Sequence, residues 1–135
     1  MALEKKGKYY YGGEANDLIA ELYRYSKLNK YHIDSTEKIV CQVCGNDLFK
    51  LFTDNDETAA VVQCTNCSGR RFIRDSQKYL GENTENFECL CGNEDFQIIT
   101  GISFYKGTAD VRWVYVGGYC PKCGLVGIYV DWNER

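Results

Sequence analysis

Eight cysteines fall in four close pairs along the 135 residues: Cys41 with Cys44, Cys64 with Cys67, Cys89 with Cys91, and Cys120 with Cys123. No other feature restricts the fold as much. Modules below about 40–60 residues seldom bury enough apolar surface to stand alone and recruit metals or disulfides instead. Cysteine makes up about 6% of the chain, below the roughly 8–10% of disulfide frameworks. The start, MALEKKGKYYYGGEAND, lacks the apolar core of a secretory signal, and no run of about 18 apolar residues occurs anywhere. A cytoplasmic, reducing address is expected, where paired cysteines hold metal more often than they form disulfides.

Structural Zn²⁺ takes four ligands in a tetrahedron, and two Cys-x-x-Cys turns close it from opposite sides. Cys41, Cys44, Cys64 and Cys67, with nineteen residues between the pairs, match the spacing of such sites. Cys89, Cys91, Cys120 and Cys123, with twenty-eight between, form the second set. The phrase CQVCGND at 41–47 returns as CLCGNED at 89–95 with one residue lost between its cysteines. In extended backbone, residues i and i+2 share a face, so Cys-x-Cys still reaches one metal. It should lose some amide–thiolate hydrogen bonds, which predicts a looser or distorted second site. Gly45, Gly92 and Gly124 follow their pairs, with Ser68-Gly69 close to the same place, where the backbone must turn sharply. Pro121 presets φ inside CPKC.

Around the cysteines the chain divides into a segment 1–37, carrying a tail and an amphipathic helix, and two copies of one plan at 38–80 and 81–135. In EANDLIAELYRYSKLNK, Leu18, Leu22 and Tyr25 recur at i, i+4 and i+7, with Ile19 and Tyr23 beside them, and Asn16 or Asp17 is placed to cap. The expected role is to pack on the metal modules. Ahead of it, KKGKYYYGG invites a nucleic-acid reading through its basic and aromatic residues, but reads equally as a frayed tail. Each copy then runs cysteine pair, strand, hairpin, strand, cysteine pair, strand. Phe96, Ile98, Thr100, Ile102 and Phe104 alternate along one face, as do Val111, Trp113 and Tyr115, and Val126, Ile128, Val130 and Trp132. Lys106-Gly107-Thr108 supplies a turn, and GENTENFE (81–88) reads as a polar linker.

This layout resembles the zinc-ribbon family over roughly Ile39–Ser76 and Phe87–Trp132. The resemblance implies a small, mainly β fold: two tandem ribbons, each a three-stranded antiparallel sheet with cysteine knuckles, behind an N-terminal α-helix. It implies two structural Zn²⁺ ions and leaves function open, because ribbons serve many roles. YCPKCGL is also similar to the second half of rubredoxin, which implies iron on Cys89, Cys91, Cys120 and Cys123 as the alternative; CLCG is one residue short for that family.

Two filled four-cysteine sites leave no open coordination position for catalysis. His32 is the single histidine, expected at a helix end or on the surface, and no carboxylate pair forms an acid–base motif, so a non-enzymatic protein is expected. The formal charge is −3. Two Zn²⁺ on eight thiolates take it to about −7, unlike strongly basic nucleic-acid ribbons. The expected role is an adaptor or regulator that binds a protein, with no membrane and no small-molecule substrate. Tyr105, Trp113, Tyr115, Tyr129 and Trp132 are the candidate anchors, of which half must be core. The alternative is nucleic-acid contact through Arg70, Arg71, Arg74 and Lys78 beside Phe72 and Tyr79, in a segment of charge +3 (68–80). Those arginines can equally balance the first metal site and the acidic turn Asp54–Glu57. A rubredoxin-like redox carrier is the third reading.

Overall fold

The computed structural model describes residues 3–54, 56–81 and 84–134. Its elements are β1 (Glu4–Lys6), β2 (Tyr9–Tyr11), α1 (Asp17–Leu28), β3 (Ser35–Lys38), β4 (Phe49–Asp54), β5 (Ala59–Cys64) and β6 (Arg70–Phe72). There follow α2 (Ser76–Tyr79), β7 (Glu85–Asn86), β8 (Asp95–Phe104), β9 (Val111–Tyr119) and β10 (Leu125–Asn133). The strands join in the order β1-β2-β10-β9-β8-β4-β5-β6, with β3 beside β8 and β7 beside β4, every pairing antiparallel.

The three long strands β8–β10 are covered on both faces. On one side Leu18 and Leu22 of α1 pack with Ile33, Ile99, Tyr115, Tyr119 and Val126. On the other, β4 and β5 fold back so that Phe49, Leu51, Ala60 and Val62 meet Phe96, Ile98, Val114, Val116, Val130 and Trp132. The junction is Phe49 opposite Phe96 and Lys50 opposite Asp95. Phe49 stands five residues after Cys44, and Phe96 five after Cys91. Corresponding residues of the two halves therefore pair with each other across an approximate two-fold axis, and one apolar core serves both. Area removed from water, the main source of folding free energy, is thus shared between the two cysteine-bearing halves.

Two β-bulges correct the expected alternation. Phe104 pairs with Val111 but Ser103 with Trp113, leaving Arg112 as the extra residue. Ile128 pairs with Gly117 but Val130 with Val116, leaving Tyr129 extra. Each insertion moves the following side chains to the other face. Val111 thus packs in the core between the sheets while Trp113 lies on the α1 side; Val126 and Ile128 face α1 while Val130 and Trp132 face β4–β5.

The expected tail and linker are also corrected where they are described. The start of the chain is the β1–β2 hairpin, which extends the sheet through Leu125 and Val126, so α1 stands behind a hairpin rather than at the terminus. In the expected linker, Glu82 and Asn83 lie outside the described residues, but Glu85 and Asn86 pair with β4, and Phe87 stacks on Tyr129. Asn16 makes no side-chain cap; Asp17 instead accepts from the amides of Gly13 at 2.7 Å and Glu14 at 3.3 Å, fastening the preceding turn to the helix.

Asp54 closes the β4–β5 turn by accepting from backbone amides. Its Oδ1 accepts from the amides of Asp56 and Glu57 at 3.1 Å each, and its Oδ2 from Gly81 at 2.8 Å. The Glu57 amide, with those of Gly81 and Asp56, holds the carboxyl below its ordinary value despite burial. A depressed carboxyl stabilises the fold above its unfolded pKa, and that contribution disappears as the pH falls through the lower folded value. Thermal melts taken from neutral pH into acid should show this decline, and Asp54→Asn should start less stable and decline less. Equal slopes in the two proteins would remove Asp54 as the cause.

Candidate metal centres

The eight cysteines, all unbonded, meet in two sets of four whose sulfurs lie within 4.8 Å of one another, which could hold metal as zinc-ribbon-like sites do. Cys41 and Cys44 precede β4, Cys64 ends β5 and Cys67 lies between β5 and β6; Cys89 and Cys91 precede β8, and Cys120 and Cys123 lie between β9 and β10. Sulfur separations are 3.6 Å for Cys41–Cys67, 3.5 Å for Cys44–Cys64, 3.5 Å for Cys89–Cys123 and 3.6 Å for Cys91–Cys120. A disulfide requires about 2.0 Å. The edge of a tetrahedron with Zn–S near 2.3 Å is about 3.8 Å. The donor set, four thiolates with no oxygen or nitrogen, suits zinc or iron and not a hard cation.

Three of the turns share one hydrogen-bond pattern. The first cysteine's amide donates to the carbonyl five residues on: Cys41 to Asn46 and Cys64 to Gly69 at 2.8 Å, Cys120 to Leu125 at 2.9 Å. Its carbonyl accepts from the amide four residues on: Gly45, Ser68 and Gly124. In Cys89-Leu90-Cys91 both bonds survive with one residue fewer, Cys89 donating to Asn93 and accepting from Gly92. The cost of the shorter turn falls on the sulfur. The amides of Cys44 and Val43 both draw the Cys41 thiol down, whereas Cys89 has only the Cys91 amide and is pushed far up, chiefly by burial. The two closest sulfur contacts of the second set, 3.5 and 3.6 Å, equal those of the first.

The sequence reading passed over two residues of the repeated phrase. Asn46 Nδ2 donates to Cys64 Sγ at 3.3 Å and to the Leu48 carbonyl at 2.7 Å. Its counterpart Asn93 donates to Cys120 Sγ at 3.2 Å and to the Asp95 carbonyl. Each asparagine ties the first turn of its half to a sulfur of the second. The signal was present as Gly-Asn after both first pairs. Burial pushes the Cys64 thiol up, but the Cys67 amide, Asn46 and the Asn66 amide outweigh it and leave it at about 6. At Cys120 burial is likewise outweighed by the Cys123 amide, Asn93 and the Lys122 amide, giving about 7. In the first set Cys67, though drawn down by the Gly69 amide, is pushed up to about 11, by the Cys41 sulfur foremost. Each set thus combines sulfurs drawn down, Cys41 and Cys64 in the first and Cys120 in the second, with sulfurs pushed up, Cys67 in the first and Cys89 and Cys123 in the second; metal binding displaces the thiol protons.

Ser68 sits where the other turns place glycine. Its φ is 65°, beside 77° at Gly45, 91° at Gly92 and 88° at Gly124. A side chain in left-handed backbone costs about 1–2 kcal/mol. Ser68→Gly is therefore expected to stabilise the protein by about 1 kcal/mol, read from urea unfolding with and without the change. A destabilised variant would mean that the hydroxyl makes a compensating bond.

The other expected site residues scatter. Tyr105 is 46% exposed at the β8–β9 tip. Trp113 is half-buried, stacked on Tyr31 at 4.5 Å with its Nε1 donating to Asp131. Tyr115 and Trp132 are buried and cannot anchor a partner: Tyr115 lies under α1, its hydroxyl donating to the Tyr31 carbonyl at 2.7 Å, and Trp132 lies between the sheets. Tyr129 folds across Gly118 and Gly127, where an added Cβ would strike its ring at 2.5 and 2.8 Å. Its hydroxyl is buried with no hydrogen-bond partner among the described residues. The arginines are engaged within the fold: Arg74 makes two 2.9 Å bonds to Glu134, Arg71 lies 3.7 Å from Glu37, and Arg70 covers the Phe52 ring. Lys78 is exposed on α2, and His32 is exposed beyond α1. No helix among the described residues is long and apolar enough to cross a membrane.

Comparison with known protein families, curated proteins and solved structures gives no match to this chain.

Proposed function

We propose that the protein is a binding adaptor or regulator built on two zinc-ribbon-like units, each held by one structural Zn²⁺, and that it works through contact with a protein partner in a reducing compartment. The observation that carries this reading is the closure of both sulfur sets. Four cysteines converge in each, and a side-chain amide from the partner turn donates to one of the sulfurs. A metal so surrounded has no position left for a substrate and contributes folding free energy instead. Arg70, Arg71 and Arg74, spent on neighbours within the fold, add little to a nucleic-acid reading.

Elemental analysis of the purified protein is expected to give two zinc per chain in a colourless solution; a red protein with iron in the second set would replace this with a redox carrier. Cross-linking and affinity capture in the native host, with nuclease treatment, should retain a protein. Retention that nuclease abolishes would overturn the adaptor reading.

A further inference from the structure

Between the end of α1 and the tip of the β8–β9 hairpin lies an open groove of about 460 Å³, bordered by Lys30, Tyr31, His32, Tyr105, Lys106 and Arg112. This is within the range of about 300–1,000 Å³ found for ligand sites. The bulge places Arg112 here: as the extra residue of β9 it leaves the ladder, and its guanidinium lies 4.2 Å from the centre of the Tyr31 ring and 5.6 Å from that of Tyr105. Bulges re-aim single side chains in this way. The opposite face of Tyr31 is taken by Trp113, stacked within 10° of parallel. Arg112 is therefore held by a layered aromatic support, which fixes its direction before any ligand arrives.

The tip is also preorganised. Tyr105 and Asp110 are joined by an amide–carbonyl bond of 3.0 Å, the Thr108 amide and hydroxyl both donate to the Tyr105 carbonyl, and Gly107 turns the chain at φ 77°. Charge is the second observation. Arg24, Lys38, Lys50, Arg71 and Arg74 are paired with carboxylates inside the fold. Lys30, Lys106 and Arg112 belong to the described cations with no carboxylate in ion-pair contact, and these three line the groove. Among the described residues lining the groove the one acid is Asp34, which accepts from the Phe104 amide at 2.8 Å. An acidic chain thus gathers three unpaired cations around a single concavity.

From this geometry we infer that the groove binds a short acidic peptide segment of a protein partner, its carboxylates meeting Arg112, Lys106 and Lys30. The inference rests on the adaptor reading and names the chemistry of its partner. Guanidinium–carboxylate pairs are the stronger, directional hydrogen bonds such a site needs. A nucleic-acid strand fits less well. Its affinity grows with the number of phosphates contacted along a track, and the groove itself offers three cations on a protein of net charge −3. The aromatic faces that would stack on bases are covered at Tyr31 by Trp113 and Arg112.

The test is fluorescence anisotropy of the metal-loaded full chain with three labelled probes: a Glu-rich octapeptide, a Gly-Ser octapeptide and a short oligothymidylate. The acidic peptide is expected to bind, more weakly as salt rises. Lys106→Glu, on an exposed turn, should weaken it about tenfold, and Lys78→Glu, an equal change of charge on α2, less than about twofold. Arg112→Lys keeps the charge without the planar fork and should also weaken binding. Absence of peptide binding, binding of the oligothymidylate in its place, or equal losses from Lys106→Glu and Lys78→Glu would each overturn the inference. A host protein captured equally by wild type and Lys106→Glu would overturn the groove while leaving the adaptor reading in place.

Discussion

Stripping the protein with a strong chelator at neutral pH is expected to abolish its cooperative thermal transition or lower it by tens of degrees. Structural zinc contributes about 10–16 kcal/mol in small zinc modules, comparable to the whole stability of an ordinary domain, about 5–15 kcal/mol. The sulfur sets are not peripheral to the core, since Cys64, Cys89 and Cys120 are buried among Phe49, Phe96, Val116 and Leu125. Without metal, neighbouring sulfurs 3.5–3.6 Å apart are left with partial negative charge in that environment. Because β4 and β8 share one core, loss of either metal should reach both halves, and Cys120→Ser, at a fully buried sulfur, should cost more than Cys44→Ser, at an exposed one. Acid should act in the same direction. In the stripped chain, the Cys64 thiol held down at about 6 stabilises the fold above its ordinary thiol value, and this is lost as the pH falls through about 6. Calorimetry with and without chelator checks the result; identical transitions in a protein shown beforehand to hold no metal would remove the structural role assigned to the sulfurs.

Gly124→Ala should be the most damaging single methyl in the chain's turns. Gly124 combines a φ of 88° with backbone contact: an added Cβ would lie 2.6 Å from the Gly12 carbonyl oxygen. That oxygen cannot step aside easily, because the Gly12 amide donates to the Gly124 carbonyl at 2.8 Å and β2 continues into the sheet beside β10. Gly45 is the control. It has the same place in its turn and a φ of 77°, but nothing lies within 4 Å of an added Cβ. Gly45→Ala should cost only the left-handed penalty, about 1–2 kcal/mol, and Gly124→Ala about 3 kcal/mol or more. Urea unfolding of the two variants measures the difference. Equal losses would mean that the hairpin β1–β2 yields without cost and does not brace the second sulfur set.

The cysteine grouping was legible because ligand spacing in a turn is a local property: four residues of backbone place two sulfurs, whatever lies elsewhere. The helix was legible for the same reason, Leu18 and Leu22 forming the buried stripe. The asparagine ties were half visible, in the repeated Gly-Asn, but their acceptors are carried by strands eighteen and twenty-seven residues away. Which of the aromatic candidates belong to the core was not legible. Tyr115 and Trp132 look like anchors in the sequence, yet α1 covers the first and β4–β5 the second.

Sequence alone decided which sulfurs go together, where the turns need left-handed backbone, and that strand predominates over helix. Tertiary structure decided the rest: the pairing of Phe49 with Phe96, the hairpin laid beside β10, and the bulges that free Arg112 and Tyr129. The reason is the range of the forces involved. Turn geometry and periodicity act over a few residues, whereas strand register is set by which distant surfaces bury each other, and one inserted residue reverses every side chain beyond it.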